Sequence, residues 1–316
     1  MALRSPLAHA VGYVCIFYLF RRLCEFNVEY NMEGMVGCHH AEDSSQPHSY
    51  INQSSTLPFD HNAAARNATH LIIVAGHAAL ISHHLGDVGE DEADWFLLEY
   101  QIGQGLPQVI KAHIEAALEE AQSDPEGLVI FSGGPTRTAV GPEAEGPSYF
   151  QAAEAMKLWP QGSNVRSRTT TEEFALDSYQ NLLFSICRFK EVTGSYPKHI
   201  SMISFSFKRR RFEEVHAPAL RWPAGKFTFI GVNPPTSTGF DLEKSSQGEL
   251  LNSLKPFEED PYGCGDVLQK KRIERNPFYR TAPYPLSCPD LKPLLDWCGP
   301  DIVPLDQVPW NKDGDR

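Results

Sequence analysis

The sequence predicts an α/β protein: a three-layer α/β/α, Rossmann-like parallel sheet followed by a C-terminal extension. Three observations predict it. Four short apolar runs rich in β-branched residues have the unbroken hydrophobicity of strands buried on both faces. Stretches with apolar residues at helical spacing lie between them. Strand and helix alternate along the chain, which is the order of βαβ crossovers.

The first strand is read in HLIIVAGH, residues 70–77, and a helix follows over 106–121. GLVIFSGG, 127–134, gives the second strand, with a helix over 148–158. A third helix is read over 173–191, because Thr170-Thr171-Glu172-Glu173 offers a Thr-x-x-Glu capping box. Ala175, Leu182, Ile186 and Phe189 form its apolar face, and Asp177, Asn181 and Ser185 form a polar stripe alongside, with Ser178 and Gln180 near it. HISMISFSF, 199–207, is the next strand, then a helix over 208–220 and a strand in KFTFIGV, 226–232. The domain so defined spans 69–235. Past Pro234 proline and charge become frequent and only short helices are expected, so 236–316 reads as an extension packed on the domain.

Ahead of the domain, residues 1–24 hold an apolar stretch, 7–20, between Arg4 and Arg21-Arg22. At about 14 residues it is shorter than the roughly 20 that a spanning helix needs, so it reads as a short anchor or a signal-like segment. Residues 25–68, rich in Ser, His, Asn and Gln, read as a flexible linker. Asn52 and Asn67 head glycosylation sequons, which matter in a lumenal setting. The expectation is a cytoplasmic protein with membrane association through 7–20; the alternative is an endomembrane anchor with a lumenal domain.

The chain carries 28 Lys+Arg against 40 Asp+Glu, a formal net charge of -12. That balance argues against nucleic acid as a partner, since such binding rests on broad basic surface. The seven cysteines never take the paired short spacing of a zinc site, so no metal centre is expected. Cys264, Cys288 and Cys298 crowd into the C-terminal third, where free buried thiols are expected in preference to a disulfide framework.

Parallel sheets bind ligands at the carboxyl ends of their strands. The residues there are Gly76, then Ser132-Gly133-Gly134, whose glycines permit close backbone approach with unshielded N–H groups, and then the run from Ser204. Lys208-Arg209-Arg210-Arg211 puts four cations in a row in an acidic chain, which points to a small, specific anion. On a helix starting near Lys208, Lys208 and Arg211 share one turn at the strand end, Phe212 and Val215 face inward, and Arg209 and Arg210 face outward to pair with Glu213 or Glu214. Glu143 and Asp177 are the candidate acid/base groups; Glu145 is expected only to favour the helix dipole. No Gly-x-Ser-x-Gly elbow, dinucleotide fingerprint or P-loop is present, and the histidine spacings nominate no triad.

At these residues the chain resembles the YdcF/SanA/ElyC-like family, especially its eukaryotic, mainly fungal branch. Gly76, Ser132-Gly133-Gly134 and Glu143-Ala144 match the bacterial pattern, with Pro142 in place of a serine. Ser178-Tyr179-Gln180-Asn181 stands for Thr-x-Glu-Asn, and Lys208 replaces a histidine while Arg211 is kept. DPYGC, KKRIERNPF and LLDWCGP carry the branch-specific part of the likeness. The resemblance implies a Rossmann-like fold; one bacterial member is associated with S-adenosylmethionine binding and others with cell-envelope metabolism. Together with the residues, it gives the expectation of a small phosphorylated or nucleotide-like ligand held by Gly76, Ser132 to Gly134, Ser178, Asn181, Lys208 and Arg211, in an enzyme or in a non-catalytic binding or scaffold protein.

Overall fold

The computed structural model describes residues 64–81, 88–299 and 301–311. The apolar stretch 7–20, most of the 25–68 linker and the Asn52 sequon lie outside them. Among the described residues no helix is long and apolar enough to cross a membrane.

The apolar runs become strands. In chain order these are β1 (His70–Ala75), the two-residue β2 (Ala79–Leu80) and β3 (Trp95–Phe96), β4 (Gly127–Ser132), β5 (Thr169–Glu172), β6 (His199–Ser204) and β7 (Phe227–Gly231). Five of them form one parallel sheet in the order β5-β4-β1-β6-β7, while β2 and β3 pair antiparallel by themselves. Helices α1 (Leu106–Ser123), α2 (Glu145–Ala155) and α3 (Ser178–Thr193) connect the strands.

Because successive strand residues point to opposite faces, each buried strand feeds two cores. Leu71, Ile73, Leu128, Ile130, Ile200 and Met202 meet Leu182, Ile186 and Phe189 of α3. Ile72, Val74, Val129 and Phe131 meet Val109, Ile110 and Ile114 of α1 and Tyr149 and Ala152 of α2 on the other face. The result is the three-layer, Rossmann-like architecture.

The capping-box reading of Thr170 to Glu173 is corrected. Thr169–Glu172 pairs in register with β4 as an edge strand, and α3 starts only at Ser178, where Asp177 Oδ1 accepts from the Gln180 N–H at 2.9 Å. Three consecutive β-branched threonines suit a pleated strand better than a helical turn, and Asp is a strong N-cap in its own right. The cationic run continues from β6 as a 3-10 turn (Ser206–Lys208), a π-helical segment (Arg211–His216) and a short α turn (Ala217–Ala219).

The extension contributes α4 (Leu242–Glu249), α5 (Lys255–Glu259), α6 (Asp266–Glu274), α7 (Tyr284–Ser287) and α8 (Lys292–Leu295). Phe257, Leu268, Tyr284, Leu291 and Leu294 are buried in the same core as α3. Tyr262 ties the layers by donating to the Ala219 carbonyl at 2.9 Å and accepting from the Val303 N–H at 2.8 Å.

The cysteine expectation is also corrected: Cys264 and Cys298 form a disulfide with Cα atoms 5.7 Å apart, whereas Cys187 and Cys288 are free and buried. Linear spacing does not reveal the pairing because the two cysteines, 34 residues apart, meet only after α6 to α8 fold back. Closing a loop of that length removes chain entropy from the unfolded state, worth about 3–4 kcal/mol. Cys298→Ser is therefore expected to lower the urea midpoint to that of the reduced wild type and to be insensitive to reductant itself. Equal midpoints for oxidised and reduced wild type would contradict that role.

Candidate functional site

The order in which strands are added reverses beside β1: β4 and β5 follow on one side, and β6 and β7 are added later on the other. Such a switch point leaves a crevice at the carboxyl ends of the strands. A cavity of about 740 Å³ opens there, lined by Gly76 and His77 after β1, Thr136 and Arg137 after β4, Ser178 and Asn181 of α3, Ser204, Phe205, Phe207, Lys208 and Arg211 after β6, and α4 and α6 of the extension.

The glycine loop does something other than the sequence suggests. The Gly76 N–H donates to the Ser132 carbonyl (2.7 Å), the Gly133 N–H to the Glu172 carbonyl (3.0 Å) and the Gly134 N–H to the Ala175 carbonyl (2.8 Å). These amides are consumed inside the fold, and Ser132, Gly133 and Gly134 lie beneath the lining. Ser132 Oγ donates to Glu172 Oε2 at 2.7 Å and lies 3.1 Å from Asn181 Oδ1. Above the loop sits Glu145. A Cβ on Gly76 would stand 2.6 Å from Glu145 Cβ, and one on Gly133 would stand 2.8 Å from Glu145 Oε2, so the glycines make room for a protein carboxylate.

Glu145 is the first residue of α2, which puts it over the strand ends. Thr136 Oγ1 donates to its Oε1 at 3.2 Å. Burial pushes its carboxyl above the usual range, against the pull of Arg275, Thr136, Arg137 and Lys208. Glu143 lines only a small recess beside it, with His77, Phe96 and Gln101.

Lys208 is the central cation. Its Nζ donates to His77 Nδ1 at 3.3 Å, and His77 Nε2 lies 3.4 Å from Ser204 Oγ. Among the described residues no carboxylate comes within ion-pair distance of Lys208. Burial first, and then repulsion by Arg211, pushes it down to about 7, with Glu249 and Glu145 pulling the other way. His77 is held well below its ordinary value by burial and by Lys208, so it serves as a neutral acceptor.

Arg211 is buried and engaged. Its Nη1 donates to Ser178 Oγ at 2.8 Å, and its Nε stands 2.8 Å from Glu249 Oε1, poorly aligned, so charge rather than a directed bond holds that pair. Ser178 Oγ in turn lies 2.7 Å from Nε2 of the buried His216. Asp177, beyond capping α3, pairs with Arg272 Nε at 2.6 Å. Arg209 and Arg210 point outward to Glu213, Glu214 and Glu258. Phe212 and Val215 are buried.

Sequence reasoning missed the wall supplied by the extension. Lys271 and Arg275, four apart on one helical turn, reach the cavity from α6, and Lys244 and Glu249 reach it from α4. The i, i+4 spacing in QKKRIER was the available signal. The lining then holds six cations (Arg137, Lys208, Arg211, Lys244, Lys271, Arg275) against three carboxylates (Glu145, Asp177, Glu249). Phe205, Phe207 and Phe240 form an aromatic wall beside Lys208.

A second cluster has the distances of a hydrolase triad. His70 Nδ1 lies 2.8 Å from Asp124 Oδ2, and its Nε2 lies 2.9 Å from Ser201 Oγ. Ser201 is fully buried toward the opposite end of the strands, and this trio stitches β1 to β6 and to the turn before β4. No group of three or more His, Cys, Asp or Glu among the described residues is placed to hold a metal ion.

No protein-family model and no solved structure matches the chain. A budding-yeast (Saccharomyces cerevisiae) protein, described as uncharacterized protein YOR238W, is 32% identical over 250 residues, a match that takes in 66% of this chain and 82% of the yeast protein. At that identity and coverage, the chain belongs to the family of the yeast YOR238W protein.

Proposed function

We propose that the cavity binds a small anion, a phosphate or phosphate ester, through Lys208, Arg275 and their neighbours. One observation carries the reading: six cations and three carboxylates line a water-accessible cavity in a chain whose overall charge is -12. Mutual repulsion of cations in a partly desolvated site is unfavourable until an anion enters. The resemblance to the YdcF-like family supports the same location without naming the ligand. Titration calorimetry with inorganic phosphate tests the reading. Lys208→Ala is expected to weaken binding about ten- to a hundredfold, the loss of one charge-assisted contact. Arg209→Ala, already paired on the surface, should change it little. Equal weakening by both would mean a diffuse electrostatic patch instead of a site.

A second reading, turnover of the bound ligand, is favoured by one feature: Glu145 is pushed up and Lys208 down, toward each other across neutrality. Pairs so displaced suit a proton donor and acceptor. Release of nitrophenol from p-nitrophenyl phosphate by wild type but not by Glu145→Gln supports it; equal background rates contradict it. As for compartment, the Cys264–Cys298 disulfide favours an oxidising setting over the cytoplasm. Asn67 is exposed in keeping with that alternative.

A further inference from the structure

The anion occupies a small part of the available space. A phosphate takes the room of two or three waters, about 60–90 Å³ at ~30 Å³ each, against a cavity of about 740 Å³. What fills the remainder is written on the wall next to Lys208. The rings of Phe205, Phe207 and Phe240 lie within 17–26° of parallel, with centroids 5.0, 5.9 and 6.2 Å apart. Phe207 and Phe240 are only partly buried, so ring surface remains open to the cavity. Lys208 Nζ stands 5.1 Å from the Phe205 centroid and 6.0 Å from that of Phe207, so the cationic and aromatic parts of the lining meet at one side chain.

The two parts select different chemistry. An aromatic face is electron-rich and repels an anion, but it takes another flat ring in offset stacking. The cations do the reverse. Three near-parallel, stacked rings share one orientation, which a flat group can continue and a puckered one cannot.

Building on the anion-binding reading above, we infer that the ligand is an aromatic phosphate monoester: its phosphate lies against Lys208 and Arg275, and a flat ring close to the phosphate stacks on the Phe205, Phe207 and Phe240 wall. The ring and the phosphate are then read by different residues, and their contributions separate in binding.

Calorimetry with inorganic phosphate, cyclohexyl phosphate, phenyl phosphate and 1-naphthyl phosphate tests this on the full chain, with Phe240→Leu as the variant and thermal unfolding as the check that it folds. Phenyl phosphate is expected to bind at least about tenfold more tightly than inorganic phosphate, and naphthyl phosphate more tightly again. Cyclohexyl phosphate, of similar size but not flat, should bind about three- to tenfold more weakly than phenyl phosphate. Phe240→Leu, which keeps bulk and loses the ring, should erase the phenyl-over-cyclohexyl preference and leave inorganic phosphate unchanged. Four equal affinities, or a cyclohexyl ester as tight as the phenyl one, overturn the aromatic ligand while leaving the anion site standing. Binding of none of the four overturns both.

Discussion

Arg211→Ala is expected to lower the free energy of unfolding by about 3–5 kcal/mol, because it strands the carboxylate of Glu249 in a buried site. The two side chains are 8% and 6% exposed and 2.8 Å apart. The change also removes the Nη1 donor from Ser178, whose hydroxyl is the contact of the buried His216. Adding Glu249→Gln should recover part of the loss, since a neutral amide tolerates burial better than an unpaired charge. Urea titration of the two single variants and the double variant checks this, and Arg211→Ala within about 1 kcal/mol of wild type would contradict it. Sequence reasoning assigned Arg211 to the ligand. The structure gives two edges of its guanidinium to the protein, so much of what the arginine does is to hold α4 against the cationic run after β6.

Anion affinity is expected to fall steeply with pH above about 7, and Lys208 is the reason. Burial beside Arg211 and Arg275 holds it at about 7, whereas an unfolded lysine titrates near 10.4. Between about 7 and 10.4 the unfolded chain binds more protons than the folded one. The penalty of burying the ammonium is therefore complete below about 7, and stability from this group rises with pH across that window. A bound anion reverses the local cause by favouring the charged amine. Above about 7 binding must then take up a proton, and affinity should drop by up to about tenfold per pH unit. Sulfate is the clean probe, because it does not titrate there. His77 and His113, the latter pushed by burial to about 4, stay neutral throughout. Calorimetry in buffers of different ionisation enthalpy should show uptake approaching one proton per sulfate at pH 8. Lys208→Arg should bind with no proton uptake and little pH dependence, since a guanidinium keeps its charge. A pH-independent wild type would contradict the assignment.

The fold was largely legible because buried parallel strands and amphipathic helices announce themselves by local pattern. His70–Ala75 and Gly127–Ser132 could be read almost to the residue. The edge strand Thr169–Glu172 could not, because its threonines and glutamate also spell a helix cap, and only pairing with β4 decides between them. The candidate site was half legible. Gly76, Ser178, Asn181, Lys208 and Arg211 gather at the strand ends as their positions suggested. Gly133 faces the Glu145 carboxylate and Gly134 packs against the backbone at Ala175, however, and Glu145 rather than Glu143 enters the cavity. The placement of Glu145 follows from α2 beginning there instead of at 148. Lys271 and Arg275 were hidden because nothing local says that a short helix far along the chain from the cationic run, about two βαβ units of ~30 residues each, folds back over it.

Those extension cations, with Lys208, should hold a tetrahedral anion in one place. Crystals soaked in tungstate, a heavy tetrahedral analogue of phosphate, report an anion directly by anomalous scattering. A dominant peak is expected inside the cavity, within hydrogen-bonding distance of Lys208 and Arg275 and beside the Phe205–Phe240 wall. A strong peak confined to Arg209 and Arg210 on the surface, with none in the cavity, would contradict that placement.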